Sequence, residues 1–524
     1  MVNIPVSEVQ SIAAMKGIER IDATHTGKPL TDISVKATKV SEILNKPAGA
    51  ATSQNGKGVM ICIIDWGFEF IHSAFTDGNG NSRIKCVYLM DKKTALEGHK
   101  QLTYTDPNAG EVTAPGYYYD TPEGIKALPN TDGFYDFHGT HTAGIAAGTK
   151  SEQGFTGMAP EADIMLIPIN LSYSPLHIET FLSGFEKALM FAVNYAKQEN
   201  LNLIISMSLG CHEGPHNGTG TIPEMLNEVA KVAIPVMSTG NEGSNTPHIY
   251  KKFSSADNTI KACISAFGMD KPEDGGKPDP FTLIIEGYDG LEMDLWATNK
   301  FNNASGYTQA DNELSASDWV SIPNIISVGA YCTNTTARRL AKNDEDQSNI
   351  FTLGDIAHFS SYGHFSNDVK APTVCAPGVN IVASYNSSSV DNADEPNKKA
   401  SMMWKGSPYE SLSGTSMACP HVAGIVALWL QAKPGLTFEQ VMDALKNSCD
   451  NDEFTAKTPI RWGYGKINAQ KGLNYLLSQS DGIEEVNSTV QQSQSTVIYD
   501  LQGRQVANPT RGIYIVGGRK VVIK

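Results

Sequence analysis

No apolar run in this 524-residue chain is long enough to cross a bilayer. The longest, Val422–Leu430, falls far short of the roughly 20 residues that a spanning helix needs. The opening MVNIPVSEVQ has neither a basic start nor an apolar run, so it does not read as a signal peptide. The eight cysteines include no C-x-x-C pair, which removes zinc knuckles and thioredoxin-type motifs. Positive charge is scarce as well. The chain has 41 Lys and Arg against 56 Asp and Glu, a formal net charge of −15 that repels phosphate backbones and excludes nucleic acid as an expected partner. What is left is an ordinary globular composition, 40% hydrophobic and 19% charged. Cys62 and Cys375 lie in apolar strand-like runs and Cys419 at an apolar helix start, so these three read as buried free thiols. Sequence assigns no disulfide.

Along the chain, residues 3–22 read as strand, helix and strand, and 23–56 as polar and loop-rich. From Gly58 onward, short fully apolar runs alternate with helical segments. GVMICIID (58–65), DIMLIPIN (163–170), LIISMSL (203–209), IPVMSTG (234–240) and NIISVGAY (324–331) read as strands. Residues 179–198 read as a helix with Phe181, Phe185, Ala188, Ala192 and Tyr195 on one face, and 221–232 as another. Strands without a polar face, separated by helices, predict an α/β fold: a doubly wound parallel sheet with helices on both faces. Such sheets place ligands at the carboxyl ends of their strands. Residues 245–320 break the rhythm and read as a β-rich insertion. Residues 478–495 read as a polar linker, and 496–524 as a small C-terminal β-module in which Gly517-Gly518 supplies a hairpin turn.

Three segments carry the chemistry. IIDWG ends a buried strand at Asp65, HGTHTAGIAAG starts a small-residue helix at His138, and SGTSMACPHVAG starts another at Ser416. A serine hydroxyl is a weak nucleophile until a neighbouring base takes its proton. His138 can be that base, and Asp65 can fix its tautomer and stabilise the imidazolium. Gly414 permits the turn before Ser416, whose N–H at a helix start can donate to an oxyanion. Asn241, after a strand end in STGNEGS, can complete an oxyanion hole; the alternative is that it merely ends the strand.

These residues resemble the subtilisin-like (subtilase) family, peptidase S8. SGTSMACPHVAG (413–424) is similar to its nucleophile segment and HGTHTAG (138–144) to its histidine segment. MSLG (207–210) resembles the strand lining its substrate cleft, GNEG (240–243) its oxyanion-asparagine segment, and FSSYG (359–363) and APGVNIVAS (376–384) lesser segments. The chain order acid, histidine, serine is also that of subtilisin. The resemblance implies a secreted serine endopeptidase with Asp65, His138 and Ser416 as its triad. It implies Asn241 and Ser416 as the oxyanion hole, and Ser208, Leu209 and Gly210 as binders of substrate backbone. Ser208 and Gly210 read alternatively as simple sheet-edge residues. The chemistry needs no cofactor. Structural calcium is allowed by the resemblance, with no ligand set in the sequence; Asp132 and Asp136 near His138 read as solvated loop acids, with calcium ligation as the alternative. His141 and His421 read as structural.

The ends carry further resemblances. Residues 1–30 resemble the C-terminal part of a subtilase propeptide, with processing expected within 23–50 and a signal peptide upstream of this sequence. Residues 31–57 are expected as a linker and 58–477 as the catalytic domain. VIYDLQGRQV and GIYIVGGRKVVIK resemble the sorting domain of type IX secretion, which implies a bacterial secreted or cell-surface protein whose partners are polypeptide substrates, its own propeptide and outer-membrane secretion machinery. The insertion resembles a jelly-roll-like subdomain of bacterial relatives. Two departures stand out: Trp66 follows the acid where the family usually has Thr or Ser, and the insertion lengthens the spacing from Asn241 to Ser416. Two other function classes make different demands on these residues. A catalytically silent scaffold on the same fold would typically lack a triad member, whereas all are present here. An α/β-hydrolase esterase would need G-x-S-x-G and the order serine, acid, histidine.

Overall fold

The structure is a computed structural model that describes residues 30–46, 54–106, 109–133, 137–151, 154–169, 178–264, 281–297, 300–337, 345–386, 409–479, 483–485, 498–500, 504–516 and 519–523. The elements expected over residues 3–22, and Asp136, lie outside these.

Helices α1 (Leu30–Ala37) and α2 (Val40–Leu44) come first. Residues 30–46 are therefore not the polar loop expected of the 31–57 segment. Val35, Val40 and Ile43 are buried in the main core, and the Ala469 N–H donates to the Thr38 carbonyl. The apolar spacing over so short a stretch is too sparse to announce a helix, and tertiary burial makes it one.

The body then follows the expected alternation: β1 (Met60–Asp65), β2 (Ile84–Leu89), β3 (Tyr117–Tyr119), α3 (His138–Ala147), β4 (Asp163–Pro168), α4 (Ile178–Glu199), β5 (Leu203–Met207), α5 (Thr221–Val229) and β6 (Ile234–Ser238). The insertion supplies β7 (His248–Lys252), β8 (Thr259–Ile264), β9 (Phe281–Glu286) and β10 (Glu292–Trp296). After it come β11 (Ile326–Tyr331), β12 (Val374–Pro377), β13 (Ile381–Ser384), β14 (Tyr409–Leu412), α6 (Thr415–Ala432), α7 (Phe438–Ser448) and α8 (Ala469–Ser478).

Eight strands form one sheet in the order β12–β11–β6–β5–β1–β4–β2–β3, parallel throughout except for the edge pair β2–β3. Side chains on a strand alternate between faces. In β1, Ile61 and Ile63 join the core under α3 and α6, while Met60, Cys62 and Ile64 join the core under α4 and α5. Both faces are covered, which is why the strands read as continuous apolar runs. The apolar face predicted for 179–198 is buried in the second of these cores. Small residues bring α3 and α6 close: a Cβ on Gly424 would stand 2.6 Å from the Ala146 carbonyl oxygen. Chain order reverses at β1, whose neighbours are β4 on one side and β5 on the other. The carboxyl ends there are the place where such sheets bind ligands.

The insertion is β-rich as expected. Among the described residues, however, it forms two separate antiparallel pairs, β7–β10 and β8–β9, and not a jelly roll. It has its own core of Ile249, Phe253, Ile260, Ala262, Phe301 and Ala310. Its last residues return to the main body, where the Trp319 indole stacks on Phe185. At the C-terminus, β15 (Ile483–Glu485), β16 (Ile498–Tyr499), β17 (Gly512–Val516) and β18 (Arg519–Ile523) form a sheet in the order β15–β18–β17–β16. β15 falls inside the stretch read as a linker; its pairing with β18 is a distant contact that local polarity hides. Val516 pairs with Arg519; Gly517 and Gly518, expected to supply the turn, lie outside the described residues.

Candidate active site

Asp65 closes β1 with its side chain fully buried. A buried carboxylate must be paired and hydrogen-bonded, or its desolvation is prohibitive. Three donors meet this need. The Trp66 N–H donates to Oδ1 at 2.8 Å, the Thr142 hydroxyl donates to Oδ2 at 2.8 Å, and His138 Nδ1 lies 2.7 Å from Oδ1. Thr142 sits one turn along α3 from His138, so one helix brings both groups to the carboxylate.

The start of α3 is held by the loop that follows β1. The Gly139 N–H donates to the Trp66 carbonyl at 2.6 Å, and the Thr140 hydroxyl donates to the Gly67 carbonyl at 2.9 Å. Gly139 is required at this crossing, since a Cβ would stand 2.6 Å from Phe68 Cε1 and 2.8 Å from the Trp66 oxygen. Asp132, read as a solvated loop acid, instead accepts the N–H groups of Gly67 and Phe68 through Oδ2, each at 2.8 Å.

Ser416 lies in the first turn of α6. Its N–H has no carbonyl to meet within the helix, as at every helix start. Pro420 has no N–H to offer the Ser416 carbonyl four residues back. That carbonyl accepts from the Ser208 hydroxyl at 2.8 Å, which ties the Ser416 segment to the end of β5. The Ser416 hydroxyl donates back to the Ser208 carbonyl at 3.2 Å.

Asn241 follows β6. Its Oδ1 accepts the Thr415 N–H at 2.9 Å and the Thr415 hydroxyl at 3.1 Å. Anchoring one end of a planar amide leaves Nδ2 as its donor end. That Nδ2 stands 3.7 Å from where a Cβ on Gly414 would be, beside the Ser416 turn. Leu209 is buried in the core under α4 and α5, whereas Gly210 is exposed. Among the described residues, the main-chain groups of Leu209 and Gly210 have no backbone hydrogen-bond partner.

The two remaining histidines of these segments are buried. His141 shares a 3.1 Å hydrogen bond with the Glu410 carbonyl, and burial pushes its pKa down to about 3. His421 Nδ1 lies 2.8 Å from the Met417 carbonyl, and burial pushes its pKa down to about 4. Cys62, Cys375 and Cys419 are buried free thiols, and burial raises the pKa of each. Among the described residues no three His, Cys, Asp or Glu side chains gather as a metal site, so the calcium allowed by the resemblance finds no ligand set there.

Sequence reasoning missed the roles of Thr142, Thr415, Asp132 and Pro420. The first three act on partners distant in the chain and Pro420 on a carbonyl of its own helix, and only the H-x-x-x-T spacing, one helical turn, was available as a signal.

The site can be set against known proteins. The pattern of the family described as Subtilase family matches residues 56–465. The chain is 36% identical over 170 residues to Serine protease AprX of Bacillus subtilis (strain 168), covering 32% of this chain and 34% of that protein. It is 24% identical over 515 residues to Minor extracellular protease Vpr of the same organism, covering 85% of this chain and 56% of that protein. The chain thus spans from a third to just over half the length of these relatives. Its fold is similar to that of the Clostridium perfringens CspB protease, with a TM-score of 0.56 at 19% identity, covering 85% of this chain and 99% of the other.

Proposed function

The chain belongs to the subtilase family, and from that premise we propose that it is a serine endopeptidase cutting polypeptides through Asp65, His138 and Ser416. The observation that carries the reading is the 2.7 Å contact between His138 Nδ1 and a fully buried, triply donated Asp65 carboxylate. A histidine at a helix start is a poor place for an imidazolium, because the helix dipole opposes positive charge there. The buried anion offsets this and leaves Nε2 as the ring's basic nitrogen.

In the proposed reaction the Ser416 hydroxyl turns from the Ser208 carbonyl to His138 Nε2. Its oxygen attacks the scissile carbonyl carbon as the proton passes to the imidazole. The oxyanion is met by the Ser416 N–H and Asn241 Nδ2. His138 then gives its proton to the leaving amine, and water, deprotonated in turn by His138, hydrolyses the acyl-enzyme. The main chain of Leu209 and Gly210, without a backbone partner among the described residues, supports an extended substrate pairing beside Ser208.

The wider assignments are proposals of the same standing. Burial of Val35, Val40 and Ile43 favours propeptide processing before Leu30, narrowing the 23–50 window, because a later cut would strip the core. Residues 496–524 are proposed as the secretion-sorting module and the protein as extracellular or cell-surface; Vpr, similar over most of this chain, is an extracellular protease by name.

The test is covalent labelling. A fluorophosphonate should phosphonylate the parent chain on the peptide containing Ser416, at a rate that falls when His138 is replaced by Ala. Absence of label, or label elsewhere, would favour the silent-scaffold reading.

A further inference from the structure

We propose that Trp66 is a positioning residue for His138, its indole face holding the imidazole in the orientation that Asp65 sets and stabilising the imidazolium formed during the reaction. The inference rests on the endopeptidase reading. The two rings are stacked, with centroids 4.4 Å apart and planes inclined by 5°. The backbone of Trp66 is bound to the same pair of groups it serves. Its N–H donates to Asp65 Oδ1, and its carbonyl accepts the N–H of Gly139, the residue after His138. Asp132 secures the next two N–H groups, so the loop carrying the indole is fixed on both sides. The indole also packs against the core under α4 and α5.

The consequence follows from ring geometry. A hydrogen bond at Nδ1 fixes one edge of an imidazole but permits it to swing about that bond. A parallel ring on one face removes the swing and so holds the direction in which Nε2 points. The negative face of an aromatic ring attracts a cation. That attraction grows as the imidazole takes the serine proton, so it belongs to the transition state and raises kcat, leaving ground-state binding unchanged. Thr or Ser at this position would supply neither effect.

The test compares Trp66→Phe and Trp66→Leu in the full chain on two substrates. One is a chromogenic tetrapeptide; the other is p-nitrophenyl acetate, which has no residue to contact a cleft wall. The expected result is that Leu lowers kcat by about 2- to 30-fold on both, the range of a partly desolvated cation–π contact. The peptide KM should stay within about twofold, and Phe should recover most of the rate. A loss confined to the peptide and expressed in KM would make Trp66 a substrate wall and overturn the proposal. Equal rates for Leu and Phe would overturn it too. Circular dichroism checks folding, and if Trp66→Leu does not fold, Trp66→Met takes its place. A parent inert on both substrates would instead count against the endopeptidase reading itself.

Discussion

Replacing Asn241 by Ala separates two roles that one amide performs. Its Oδ1 accepts from the Thr415 N–H and hydroxyl, and its Nδ2 is the proposed oxyanion donor. Loss of such a donor costs about 2.7–4 kcal/mol of transition-state stabilisation, or roughly 100- to 1,000-fold in kcat. Loss of the acceptor uncaps the first turn of α6, which costs about 0.5–2 kcal/mol of stability. In a domain of this size that lowers Tm by only about 1–2 °C, too little to explain the activity loss by unfolding. Asn241→Asp keeps the acceptor and replaces the donor with a negative charge. It should be at least as slow as Ala while keeping Tm nearer the parent. Initial rates on a chromogenic peptide over a range of concentrations, with Tm by calorimetry, give all three quantities. A kcat for Asn241→Ala within about threefold of the parent, or a loss found wholly in KM, would refute the assigned role.

Other consequences follow from the same geometry. Thr142→Val removes a buried donor to the Asp65 carboxylate at nearly constant volume, and a hydrogen bond to a charged group is worth about 1.5–3 kcal/mol. Urea unfolding should record that loss together with a lower kcat; an unchanged midpoint would show the contact to be idle. Gly139→Ala forces a Cβ to 2.6 Å from Phe68 and should cost about 1–3 kcal/mol through overpacking, with activity falling further because α3 carries His138. A thermal scan with wild-type Tm would contradict this. Stability should also depend on acid. Burial holds His141 and His216 at about 3 and His421 at about 4, so from pH 6.5 downward the unfolded chain binds protons that the folded chain refuses, and stability falls. Asp318, pushed up to about 6 by burial, opposes this by binding its proton first in the folded state. At pH 5 the net loss relative to pH 8 is at most about 5 kcal/mol. Urea midpoints of an inactive Ser416→Ala chain at the two values check it; a midpoint that holds or rises at pH 5 would contradict it.

The sheet was legible because burial on both faces leaves a local trace. The runs at 60–65, 163–168, 203–207, 234–238 and 326–331 admit no polar face, and the helix at 178–199 shows its stripe plainly. The positions proposed as the triad were legible because each stands at the end of such an element, Asp65 closing β1 and His138 and Ser416 starting α3 and α6. What escaped was the support around them. Thr142 and Thr415 are hydroxyls in ordinary helical positions, and their partners, Asp65 and Asn241, lie far away in the chain. Asp132 reads as solvated because its partners are backbone N–H groups, which every sequence has. α1 and α2 escaped for a related reason: eight- and five-residue helices owe their order to contacts with the core, and short helices have little stability of their own. The strand at 483–485 is legible only through its pairing with 520–522.

In the proposed reaction Ser416, activated by His138 and Asp65, cleaves peptide bonds. The most direct measurement is hydrolysis of a broad chromogenic peptide panel by the full chain and by Ser416→Ala, side by side, with mass spectrometry of the products. The parent should cleave at internal bonds, and the variant should show no cleavage above background. Equal rates from the two, or an inert parent even after the residues before Leu30 are removed, would contradict it.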